Sequence, residues 1–124
     1  MPDATNHPEP TVEQSVEAET ARLTVRGELT EAARRPLVRV LTDLLLAHGP
    51  LQRVELHVAG VTFMNSAGMA VLVQVQRMAA PRGIEVVLVA PPAAVIRPLQ
   101  LSGLWHRFPM VDVPEGLQPG DAGS

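Results

Sequence analysis

The chain has 124 residues, 46% of them hydrophobic, and its ten Lys or Arg against thirteen Asp or Glu leave a net charge of −3. That suits one domain with a modest core, and an acidic chain with one Trp, two Phe and no Tyr excludes a basic, aromatic-studded nucleic-acid surface. The absence of cysteine excludes disulfides and fits a reducing cytoplasm, and no apolar run approaches the roughly 18 residues of a membrane span.

Residues 1–10 hold three of the twelve prolines and read as a disordered tail, with no basic or apolar segment of a signal peptide. Over 11–19, Val12 and Val16 suggest an edge strand. Residues 21–29 alternate more clearly, with Leu23, Val25 and Gly27 on one side and Arg22, Thr24 and Arg26 on the other. Thr30 and Glu31 then turn into a helix. Pro36 suits its first turn, and Leu37, Val40, Leu41, Leu44 and Leu45 recur at helical spacing. Gly49-Pro50 supplies a C′ glycine and a residue that cannot continue the helix.

Val54, Leu56 and Val58 alternate with Glu55 and His57, which marks a third strand over 53–58, and Gly60 is expected to break it. The next helix starts at Asn65 or Ser66, both good N-caps, and ends before Pro81, with Arg82-Gly83 as the turn. Residues 84–89 are almost continuously apolar, as in a strand covered on both faces. Pro91-Pro92 end that strand. A helix over 93–101 closes at Ser102-Gly103, and Pro98 inside it removes one intrahelical bond, so it is expected to be short or kinked. Residues 108–113 add a last short strand, and 114–124 read as a second disordered tail. Strands alternating with helices imply a single α/β domain over 11–113. Its sheet of four to five strands is mostly parallel, with helices packed against it and an antiparallel edge at the leading pair.

His7, His48, His57 and His106 lie far apart without metal-ligand spacing, and read as surface or capping residues. Glycine-rich nucleotide loops are absent, and Ser66-Ala67-Gly68 is not a nucleophile elbow because position 64 is Met. No enzyme, cofactor or metal is therefore expected. Ser66 nevertheless stands at a strand-to-helix corner, where free backbone N–H groups and the helix dipole favour negative charge. Wound at 3.6 residues per turn, the helix puts Gly68, Val71, Leu72, Val75, Met78 and Ala79 on one face. Ser66, Met69, Ala70, Val73 and Arg77 fall on the opposite face, with Gln74 and Gln76 at its borders. An outward Met beside small residues suits protein binding, whereas scattered surface apolar residues are also ordinary.

Four segments together resemble STAS domains: Gly27-Glu28-Leu29-Thr30, the run from Gly60 through Asn65-Ser66-Ala67-Gly68 to Met69, Val86-Val87-Leu88-Val89, and Leu101-Ser102-Gly103-Leu104. The nearest likeness is to bacterial anti-sigma-factor antagonists. The resemblance implies that Ser66 is a phosphoacceptor for a partner anti-sigma factor that is also a serine kinase. The unmodified antagonist binds that partner and frees the sigma factor; phosphorylation ends the binding, and a phosphatase restores it. Carried over, the partner-binding residues are Thr30, Asn65, Ala67, Gly68, Met69, Ala70, Val73 and Arg77. Three positions depart from the family pattern, which usually has Asp where Asn65 and Thr30 stand and often an acid where His57 stands. All three departures remove negative charge from the face expected to meet the kinase. The chain also lacks a clear final helix, which leaves apolar surface expected near Trp105 and Phe108 and makes Trp105 a candidate contact. The alternative is a non-phosphorylated STAS scaffold, or a subunit of a stress-signalling or lipid-transport complex. A small hydrolase or nucleotide-binding protein is less consistent with the missing motifs.

Overall fold

The computed structural model describes residues 8–47 and 49–117, so residues 1–7 and 118–124 of the expected tails at 1–10 and 114–124, together with His48, lie outside the described residues. Strands β1 (Thr11–Glu17) and β2 (Thr20–Leu29) are followed by helix α1 (Arg34–Ala47), β3 (Arg53–Met64), α2 (Ser66–Ala79), β4 (Glu85–Val89), α3 (Ala93–Ser102) and β5 (Met110–Val111). Short 3₁₀ turns at Glu31–Ala33 and Leu104–Arg107 enter α1 and link α3 to β5. The sheet runs in the order β1-β2-β3-β4-β5. β1 pairs antiparallel with β2, and the remaining pairs are parallel. This is the mostly parallel α/β fold that the alternation of elements implies.

One sheet face forms the core. Ala21, Leu23, Val25, Val54, Leu56, Val86 and Leu88 are buried with Leu37, Leu41 and Leu44 of α1 and Val71, Leu72, Val75 and Ala79 of α2. The apolar stripes that each element carries at its own period thus meet in one layer. Val87 and Val89 are buried as well, which agrees with a fourth strand covered on both faces. Phe108 is 3% exposed and belongs to the core, and Trp105 packs against that core half-buried, while Leu101 and Val111 in the same stretch of chain are exposed. Pro98 lies inside α3, which runs ten residues and closes on Gly103 in the left-handed region at φ 78°. α1 ends at Ala47, just before the Gly49-Pro50 pair expected to stop it.

Gly60 does not break β3. The strand continues to Met64, and its register against β2 shifts twice, between Thr24 and Arg26 and between Gly27 and Glu28. Each shift sets an extra β3 residue against β2, the geometry of a bulge. Inward residues, spaced by two at Val54, Leu56 and Val58, are consequently spaced by three at Val61 and Met64. Arg26 lies across Gly60, where a Cβ would approach its Cγ to 2.8 Å. The glycine accommodates a crossing side chain rather than ending a strand. Extended and twisted in this way, β3 carries the chain to Asn65.

Candidate functional site

The corner after β3 is built from backbone bonds. Asn65 N–H donates to the Leu29 carbonyl at 3.2 Å, which ties the end of β3 to the end of β2. With an extended backbone at φ −107° and ψ −176°, Asn65 is the N-cap of α2, and its Oδ1 accepts from Gly68 N–H at 2.9 Å. This resolves the two cap candidates: Asn65 caps, and Ser66 is the first helical residue. Helix geometry leaves the N–H groups of Ser66 and Ala67 directed out of the first turn. The Ser66 side chain is exposed beside them.

Gly68 is the fixed point of the corner. A Cβ there would sit 1.9 Å from the Leu29 carbonyl oxygen, so the helix and β2 approach as closely as backbones can. Gly68 is buried, and its place among the expected contact residues is therefore corrected: it positions α2 and does not reach the surface. The same correction applies to Thr30, which is 0% exposed. Its Oγ1 accepts from Ala32 N–H at 3.1 Å and caps the 3₁₀ turn leading to α1. A buried hydroxyl needs such a partner, and the turn supplies it. Asn65 and Ala67 are half-buried at the rim.

Five of the expected residues do come together. Ser66, Met69, Ala70, Val73 and Arg77 line one side of an open groove of about 470 Å³, along with Gln74. Leu104 and Arg107, from the 3₁₀ turn after α3, form the other side. Two bonds hold this second wall against α2: Gln76 Nε2 donates to the Arg107 carbonyl, and Ser102 Oγ donates to the Met69 thioether at 3.3 Å. Sequence reading offered Trp105 for this region. Its ring instead packs against the core and stacks on His106 with centroids 3.9 Å apart, and it is not among the groove residues. Leu104 and Arg107 carried no periodic signal that would have nominated them.

His57 lies elsewhere, on the face of β3 away from the buried Leu56 and Val58. There Nε2 donates to Glu55 Oε1 at 2.9 Å. Arg22 and Arg53 reach the same carboxylate at 3.3 and 3.1 Å, and Arg53 also reaches Glu85 at 3.7 Å. The hydrogen bond from His57 first, then the bond from Arg22 and the charge of Arg53, hold the Glu55 carboxyl below its ordinary value against the opposing effect of burial. The substitution of His for an acid at position 57 thus belongs to the outer sheet face and leaves the groove unaltered.

The groove lining holds hydroxyl, thioether, amide, guanidinium and aliphatic groups, but no carboxylate, imidazole or thiol. Among the described residues, no group of three or more His, Cys, Asp and Glu is placed to hold a metal ion. Chemically, the site can dock an apolar partner and present one hydroxyl for modification.

Comparison with known proteins identifies the family and the fold. A family model described as "Mlab, STAS domain" matches residues 12–112. An anti-sigma factor antagonist from Mycobacterium paratuberculosis is similar in structure at TM-score 0.70 and 19% identity, over 87% of this chain and 90% of that one. The anti-sigma factor antagonist SpoIIAA in its unphosphorylated form is similar at TM-score 0.68 and 20% identity, over 85% and 90% of the two chains. The protein TM1081 is similar at TM-score 0.70 and 19% identity, over 91% and 90%. No curated protein matches the chain in sequence.

Proposed function

Because the chain belongs to the STAS domain family, we propose that it is a regulatory binding protein of the cytoplasm, an antagonist that docks a serine-kinase anti-sigma factor through the outer face of α2 and is switched off by phosphorylation of Ser66. The observation that carries this reading is the position of Ser66: exposed, at the first turn of α2, on a groove whose other α2 residues are Met69, Ala70, Val73, Gln74 and Arg77. Likeness in fold to two anti-sigma factor antagonists supports it.

The switch follows from elementary electrostatics. A phosphate brings about −1.5 to −2 charges to a surface that otherwise offers small apolar groups to its partner. Burying that charge against a partner without a matching cation is costly. Within the molecule the same charge is tolerated, because it sits at a helix N-terminus beside free N–H groups. Phosphorylation therefore blocks docking and leaves the fold intact.

A second reading, a scaffold that is never phosphorylated, rests on one specific observation. Asn65 keeps the cap but offers no carboxylate next to the acceptor hydroxyl. Incubation with a serine-kinase anti-sigma factor and Mg-ATP, followed by intact mass and a binding assay, separates the two. A single phosphate on Ser66 that abolishes the complex supports the switch. A stable complex with no phosphate uptake, unchanged in Ser66→Ala and Ser66→Asp, establishes the scaffold instead.

A further inference from the structure

The groove is asymmetric in charge. Arg77 and Arg107 face it from opposite walls, both exposed, and neither has an ion pair among the described residues. On the outer sheet face, by contrast, Arg22, Arg26 and Arg53 are each paired with Glu55, Glu13 or Glu85. A cation in the last turn of a helix complements the helix dipole, which accounts for Arg77 alone. It does not account for Arg107, whose backbone is held against α2 by Gln76.

Resting on the docking role given to this groove, we propose that its occupant is an amphipathic helix of the partner protein. Its apolar stripe seats on Met69, Ala70, Val73 and Leu104, and its carboxylates pair with Arg77 and Arg107. Ser66 and Arg77 are eleven residues apart, which at 1.5 Å per residue gives the groove a run of about 16 Å. That length accepts about three turns of a partner helix, the span over which residues at i, i+4 and i+7 share one face. Charge complementarity supplies direction as well as attraction: the acidic end of the partner lies at the Arg77 end, and its uncharged end lies over Ser66. A phosphate on Ser66 then acts at the end away from the arginines: it fills the apolar end of the groove with a charge of about −1.5 to −2 where the partner offers only uncharged groups.

The test uses two synthetic helical peptides of 16 residues with the same apolar stripe, one flanked by Glu and the other by Lys. Each is titrated into isotope-labelled protein while the Met69 and Val73 methyl signals are followed. At low salt the Glu peptide is expected to bind roughly tenfold tighter than the Lys peptide, and the difference is expected to shrink as salt rises. In the Arg77→Glu, Arg107→Glu double variant, which alters only exposed side chains, the preference is expected to reverse. Equal affinity of the two peptides with both methyl signals shifting overturns the charge polarity but leaves the docking groove standing. Absence of any shift at Met69 and Val73 with either peptide overturns the groove as a docking site, and the inference with it.

Discussion

Asn65, Ser66 and Gly68 occupy one helical turn and do three different things. Asn65 accepts from Gly68 N–H and starts the helix, so Asn65→Ala is expected to lower unfolding stability by about 1 kcal/mol in urea denaturation. Gly68 meets the Leu29 carbonyl where no Cβ fits. Gly68→Ala forces the helix off β2, and a loss of at least about 2 kcal/mol is expected in the same assay. Ser66 is exposed and bears on neither contact. Ser66→Asp places a charge at the positive end of the helix dipole, so its thermal midpoint is expected to equal or slightly exceed that of the parent. Loss of docking in that variant with an unchanged midpoint marks a switch that acts on the surface alone. A midpoint lowered by several degrees would place Ser66 in the fold.

At the scale of elements, α2 is the piece that joins core to site, with Val71, Leu72, Val75 and Ala79 inward and Met69, Ala70, Val73 and Arg77 on the groove. Its two faces were legible in the sequence because a 3.6-residue period sorts apolar from polar residues without reference to the rest of the chain. The same holds for β2 and β4, where the alternation and the continuous apolar run translate directly into one-sided and two-sided burial. What resisted reading was whatever depended on a neighbouring element. The bulges that carry β3 past Gly60 exist only in the register with β2, so the change of inward spacing from two to three looks like the end of a strand. Thr30 reads as a surface polar residue until the turn that it caps and the core that covers it are both in place. Leu104 and Arg107 become groove residues only because α3 brings its following turn against α2. The Gln76 bond to the Arg107 carbonyl makes that wall testable. Gln76→Ala is expected to speed amide exchange across Leu104–Arg107 and to alter the emission of Trp105, the one tryptophan, while barely changing global stability.

As a whole, the molecule presents two unlike surfaces on either side of its core. Over β1–β3 the outer sheet face is polar and internally paired, from Glu13–Arg26 at 3.0 Å to the Arg22, Arg53 and His57 contacts around Glu55, while Val87 and Val89 of β4 are buried. Such surface pairs add little stability each, but they leave few cations or anions free to attract a partner. Their one clear thermodynamic signature is at acid pH. The folded Glu55 carboxyl is held below its ordinary value, so its contribution is present above the unfolded value of about 4.3 and is lost as pH falls through the lower, folded value. The thermal midpoint is expected to decline below about pH 4.3, and Glu55→Gln is expected to flatten part of that limb. The α2 face is the opposite case: apolar in its centre, with the exposed Ser66 and two arginines that have no ion pair among the described residues. Hydrogen exchange on the complex with a serine-kinase anti-sigma factor tests that assignment most directly. Slowed exchange at residues 66–77 and 104–107, with the outer sheet face unchanged, is the predicted footprint. Protection confined to β1–β3 around Glu13, Arg22 and Glu55, with α2 exchanging as in the free protein, would contradict it.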